Sequence, residues 1–231
     1  MIKDYNDFCN ELLKAGFSVA SGGNDEGIFG LFPYGWNEEP PDSPIRWHTG
    51  DPETDPWEWR MRVLNERDDI SYSKVFFRKA GYITKEWYPY FLAARRGDRT
   101  FEEAYEDGTI SHFAKRIYGV VSEHESLPLH GIKELLGVSR DDKSQFDRAL
   151  TELQMKLYLA ICGSQQKMSK KGREYGMASS IFCTTECFWG EEVFEKAAGL
   201  IPEQATRQIT EQILKLNPMA KEKKIVKFIS G

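Results

Sequence analysis

Residues 47–59, WHTGDPETDPWEW, hold a histidine, four carboxylates, two prolines and three tryptophans in thirteen positions. His48, Asp51, Glu53 and Asp55 are the types that could do chemistry there. A hard divalent cation such as Mg2+ takes carboxylate oxygens. A glutamate beside tryptophans has the apolar surroundings that raise a carboxyl pKa toward general-acid work. The same residues also suit a purely structural part. Asp51-Pro52 and Asp55-Pro56 are turn and cap signals, Gly50 permits a tight turn, and indole rings seek burial. No metal-ligand spacing is present, so the stretch is expected to pin a coil and start a helix, with these four residues as the catalytic candidates.

A second set is basic. On a helix at 140–156, Lys143, Ser144, Arg148 and Thr151 are expected on the exposed face, together with the acids Asp147 and Glu152. Arg148 could donate two hydrogen bonds to a guanine edge, and Ser144 or Thr151 could hold phosphates. The turn GSQQKMSKKGREYG adds Gln165, Gln166, Lys167, Lys170, Lys171 and Arg173 against one acid, Glu174. Lys115, Arg116 and the lysines at 221, 223, 224 and 227 extend this basic set.

The elements that must carry these residues follow from caps and periodicity. Residues 18–56 read as a long coil rich in Gly, Pro, Asn and Asp, and its aromatics argue for packing rather than disorder. Asp55 as cap and Pro56 as first helical residue predict a helix over 57–67. SKVFFRKAGYI reads as one short strand and TKEWYPYFLAARRG as a helix closed by Gly97. Thr100 and Glu103 form a capping box for FEEAYED, and ISHFAKRIYGVVSE spaces Phe113, Ile117 and Val121 at helical intervals. SLPLH suits an edge strand, GIKELLG a two-turn helix, and RDDKSQFDRALTELQMK a longer helix capped by Ser139. LYLAIC, a polar turn, and MASSIFCTTECFW then read as strand, turn, strand. This order is that of a winged helix. The tail reads as three helices, GEEVFEKAAGL, PEQATRQITEQILKLN and AKEKKIVKFI. The expected fold is therefore α+β: a winged helix-turn-helix core at 100–191, an N-terminal α+β region at 1–99 with its aromatic coil, and a C-terminal helical extension at 192–231.

Composition narrows the function. Of 231 residues, 40% are hydrophobic and 29% charged, and mean hydropathy is −0.55, which describes a globular chain with a sizeable core. No run approaches the roughly 18 apolar residues of a membrane span, and the first helix carries acids where a leader would carry cations. The expectation is a cytoplasmic protein with reduced cysteines and no membrane contact. Net charge is −5, so a nucleic-acid function must rest on a local patch. Cys183 and Cys187, with Cys162 on the adjoining strand, lack a fourth ligand and suit a core rather than zinc. His112, His124 and His130 are scattered. No Gly-rich phosphate loop, kinase or GxSxG signature occurs, and no metal or cofactor is expected.

The stretches WHTGDPETDPWEW, YITKEWYPYFLAARRG, FEEAYEDGTIS and ALTELQM together resemble a group of bacterial proteins described as AlkZ-related, along nearly the whole chain. The namesake family is one of winged-helix DNA glycosylases that unhook interstrand crosslinks and release alkylated bases. The resemblance implies winged-helix architecture and a DNA-linked role. Those glycosylases are longer, with several winged helices, and hold their catalytic water with Gln-x-Gln or His-x-Gln. Neither pair occurs here; Gln165 and Gln166 are adjacent, so on a strand they point to opposite faces. No glycosylase residue is carried over. The leading expectation is a DNA-binding winged-helix protein linked to repair. The alternatives are a protein-interaction module, with a protein partner or a second copy, and an enzyme using the acidic Trp-rich loop.

Overall fold

The computed structural model describes residues 2–20, 28–32, 40–168 and 172–231. The chain divides into two compact units, one of residues 1–98 with 191–231 and the other of residues 99–190.

The first unit begins with α1 (Tyr5–Ala15), whose N-cap Asp4 accepts the Asp7 N–H and whose buried face is Tyr5, Phe8, Cys9, Leu12 and Ala15. It stops at Gly16, where φ is 88° and an added Cβ would lie 2.2 Å from the Trp87 ring, so conformation and space both require glycine. β1 (Phe17–Val19) follows, then the 47–59 stretch and α2 (Pro56–Glu66), started by Asp55 and Pro56 as the sequence predicts. β2 (Ile70–Phe76) and β3 (Lys79–Thr84) form a hairpin, and β1 pairs β3 on its other side. This corrects the single strand expected for SKVFFRKAGYI. The turn between them is only Phe77–Arg78, with φ of 51° and 63°, the two-residue geometry that normally recruits Asn or Gly. Gly81 leaves room for the Phe76 ring, which would lie 2.4 Å from an added Cβ. α3 (Tyr88–Arg96) closes at Gly97.

The second unit opens with α4 (Phe101–Glu106), where the capping box is fully formed: the Thr100 hydroxyl accepts the Glu103 N–H, and the Glu103 carboxylate accepts the Thr100 N–H. Those bonds, backbone N–H first, hold Glu103 below the usual carboxylate range. Their stabilisation is complete above the ordinary glutamate value and is lost as the pH falls through the lowered one. Thr100→Ala is expected to cost about 1 kcal/mol, read as a small drop in the urea midpoint with an unchanged slope. α5 (His112–Glu123) buries Phe113, Ile117 and Val121, while Phe101 stacks on Tyr118 at 3.7 Å. β4 (Ser126–Pro128), α6 (Leu129–Leu135) and α7 (Lys143–Met155) come next. Ser139 does not cap α7 directly. Its hydroxyl donates to Asp142 at 2.6 Å within a separate turn, which lowers the Asp142 pKa, and α7 starts only at Lys143.

β5 (Leu159–Met168) pairs antiparallel with β6 (Glu174–Thr184), and β4 pairs with the far side of β6. The expected polar turn at 163–176 is thus mostly strand, because each edge of the ribbon is paired down to Met168↔Glu174. The expected strand MASSIFCTTECFW also ends early. Thr184 accepts the Cys187 N–H and starts α8 (Thr185–Trp189).

The chain then returns to the first unit with α9 (Glu191–Ala198), α10 (Pro202–Leu216) and α11 (Glu222–Ser230). α10 buries Ala205, Ile209 and Ile213, and the Gln212 amide donates to the Ala15 carbonyl, tying it to α1. α11 buries Ile225, Phe228 and Ile229. Phe228 lies flat on Phe76, centroids 3.8 Å apart, and the buried Arg95 donates to the Phe228 and Ile229 carbonyls at 2.9 and 2.7 Å. Arg95 is thereby a C-cap supplied from another helix, and burial lowers its pKa.

Candidate functional site

In the 47–59 loop the side chains serve the backbone. The Asp55 carboxylate is buried and accepts four main-chain N–H groups: His48 at 3.0 Å, Thr49 at 2.8 Å, Gly50 at 2.9 Å and Trp57 at 2.8 Å. A carboxylate offers about four lone-pair sites, so its accepting capacity is used within the loop. Asp51 accepts the Glu53 N–H and the Thr54 hydroxyl at 3.0 and 2.7 Å, in that order the causes of its lowered pKa. Glu53 is exposed and pairs with Arg62 at 2.9 Å. Trp59 is fully buried, its indole N–H donating to the Pro52 carbonyl at 3.0 Å and its ring 5.0 Å from Phe8. Trp57 carries the Arg60 guanidinium 3.3 Å above its ring, with the His48 imidazole 4.8 Å away. Among the described residues, no group of three or more His, Cys, Asp or Glu could hold a metal ion. The loop brings His48, Asp51, Glu53 and Asp55 into one segment, but the link from His48 to Asp55 is through its backbone N–H.

The basic residues lie in the second unit. Lys143, Ser144, Asp147 and Arg148 are exposed on α7, with the Arg148 Nε donating to the Ser144 carbonyl at 3.3 Å. Thr151, expected on that face, is buried instead at 8% exposure, and its hydroxyl donates to the Asp147 carbonyl at 2.8 Å. A helical threonine can satisfy itself on the preceding turn in this way, which lets it enter the core. The acids expected beside the basic groups have other engagements. Glu152 accepts the Ser111 N–H and hydroxyl at 2.9 and 2.8 Å, and Asp147 lies 3.9 Å from Lys133.

On the ribbon, Gln165 is exposed opposite Ser179, and Lys167 sits opposite Tyr175. The register slips between them, so Gln166 falls on a bulge and its amide donates to the Gly176 carbonyl at 2.9 Å. Arg173 is exposed, and Lys170 and Lys171 fall outside the described residues. Sequence reasoning missed three exposed apolar residues here: Met168, Tyr175 and Met177, the last 75% exposed. Their signal was their position, since they flank the polar turn on a ribbon too narrow to bury them. Cys162 and Cys183 meet across the same ribbon nearer its base. Their mutual hydrogen bond lowers the Cys162 pKa and, with burial, raises that of Cys183, while Cys187 is exposed.

An α+β chain with a helix-and-ribbon unit of this kind defines a class of fold rather than an activity. A family model described as "AlkZ related" matches residues 2–230, so the chain belongs to the AlkZ-related family. A search of the curated proteins gives no match. Among solved structures the chain is similar to the Streptomyces sahachiroi DNA glycosylase AlkZ, at 14% identity and a TM-score of 0.39, over 76% of this chain and 50% of that one. The match therefore spans half the length of that glycosylase. Among the described residues no helix is long and apolar enough to cross a membrane.

Proposed function

We propose that the chain is a winged-helix DNA-binding protein with a role in DNA repair, and that it contacts duplex DNA through α7 and the β5–β6 ribbon. The observation that carries this reading is the order α5, β4, α6, α7, β5, β6 within one compact unit, its three strands forming an antiparallel set with β6 in the middle. In that arrangement α7 is the third helix, the one that a helix-turn-helix protein lays in the major groove. Arg148 is the base-reading residue, Lys143 and Ser144 hold phosphates, and Gln165, Lys167 and Arg173 of the ribbon, with Lys170 and Lys171 of its tip, meet the backbone. The engagement of Glu152 by Ser111 and of Asp147 by Lys133 supports the reading, because it reduces the negative charge on offer beside Arg148. Membership of the AlkZ-related family supports the repair association. The loop at 47–59 acts as a clamp on this reading, not as a reaction centre.

The test is fluorescence anisotropy of a labelled duplex titrated with the protein across a salt series. Wild type is expected to bind with a steep loss of affinity as salt rises, because each phosphate contact releases counterions. Lys143→Gln, Arg148→Gln and Lys167→Gln combined should weaken binding by about 10- to 100-fold at low salt, with the salt slope reduced by up to ~2.7 if all three meet phosphates. An unchanged slope and affinity in that triple variant would remove the helix and ribbon from the interface.

A further inference from the structure

Resting on the reading that the chain binds DNA, we infer that the tip of the β2–β3 hairpin and the helix α11 form a second, sequence-independent surface for the phosphate backbone of duplex nucleic acid. The two elements lie far apart in sequence but meet at one ring. The Phe77 ring sits 5.8 Å from that of Phe228 on α11, and the Lys224 and Lys227 ammonium groups lie 5.6 and 5.9 Å from its centroid. Arg78 and Lys79 follow Phe77 directly and are exposed, as are Lys74 on β2 and Lys221, Lys223 and Lys227 around α11. Residues 74–79 and 221–231 hold seven basic residues and one acid, Glu222, in a chain whose net charge is −5. That is a local reversal of sign built by the fold, since neither segment alone is a long basic run.

Like charges gathered this closely repel one another. The ring offsets part of the repulsion through its negative face, and a polyanion would offset the rest while releasing its counterions. A hydrogen-bonding pocket that would select one small anion is not what the geometry offers. The cations are spread over two elements on the outside of the unit, which suits a repeating row of phosphates. An anionic lipid surface fits less well. A helix that binds membranes buries its apolar face in the lipid, whereas Ile225, Phe228 and Ile229 of α11 are already in the core.

The experiment uses the full chain, the same labelled duplex and the same salt series, with Lys223→Gln, Lys224→Gln and Lys227→Gln combined. Affinity at low salt should fall at least tenfold, and the slope of log K against log salt should shrink by ~2.7 for three lost contacts. The double variant K223Q/K227Q touches only exposed positions. It replaces the triple if that protein melts early, with a slope change of ~1.8 expected. Wild type that binds steeply, alongside a variant with the same slope and affinity, overturns this second surface and leaves the α7 reading standing. Wild type that fails to bind duplex even at low salt overturns both. Sedimentation with phosphatidylserine-containing vesicles is run in parallel. Vesicle binding that the variant loses, with duplex binding unchanged, overturns the nucleic-acid assignment in favour of a membrane surface.

Discussion

Asp55→Ala should lower the melting temperature by about 10–20 °C, the drop expected from a loss of ~5 kcal/mol in a chain of this size. The size of that loss follows from geometry. One buried carboxylate accepts four main-chain N–H groups, from His48, Thr49, Gly50 and Trp57. Hydrogen bonds to a charged group contribute about 1.5–3 kcal/mol each, and they are not additive when they share an acceptor. The helix cap alone accounts for about 1 kcal/mol of the total. Truncation leaves the donors without a partner and lets the loop open, which removes the Pro52 carbonyl from the Trp59 indole. Asp55→Asn keeps one accepting oxygen and should lose roughly half as much. Glu53→Gln is the matched comparison. Glu53 is exposed, and its pair with Arg62 is of the kind that contributes less than about 1 kcal/mol, so the melting temperature should hardly move. Calorimetry of the three variants separates clamp from reaction centre. A protein that keeps its melting temperature with Asp55→Ala, while losing whatever activity it has, would make this loop catalytic after all.

The parts of this fold that were legible in sequence are those set by local chemistry. Thr100 with Glu103, Asp55 with Pro56, and Gly97 each specify a helix end within a few residues, and each stands where the sequence puts it. The proline in SLPLH likewise marks an edge, and β4 is paired on one side only, to β6. What the sequence hid were features decided by contacts with distant residues. The β2–β3 turn uses Phe77 and Arg78 in a conformation that local preference gives to Asn and Gly, and the Phe77 ring is held by α11, about 150 residues further on. Thr151 looks like a solvent-facing helix residue until its hydroxyl is seen to bond one turn back. The length of the ribbon was hidden for a related reason. Strand pairing, not apolar alternation, carries β5 and β6 outward, and polar residues pair as readily as apolar ones. For the same reason the basic residues could be counted in the sequence, but the acids beside them could not be assigned to Ser111 and Lys133.

Phe228→Ala is the core substitution with the largest expected cost, about 3–5 kcal/mol and a fall in melting temperature of ~10 °C or more. The ring is fully buried although it lies four residues from the end of the sequence shown. It stacks on Phe76 at 3.8 Å with 9° between the planes, and it touches Phe17 at 5.6 Å and Phe91 at 6.0 Å. These neighbours come from β1, β2 and α3, so one side chain joins three elements of the first unit to its last helix. Truncation removes the transfer term of a phenyl ring and leaves a cavity whose aromatic walls collapse poorly. It also frees α11 to slide, which exposes the Arg95 guanidinium that its terminal carbonyls now satisfy. Phe228→Leu fills most of the volume and should cost well under half as much. Hydrogen exchange distinguishes this account from general loosening. Amides of α3, β2 and α11 should lose protection together, because they share the same cavity. Loss confined to α11, with α3 and β2 as protected as before, would mean that the last helix is an ornament on a core that stands without it.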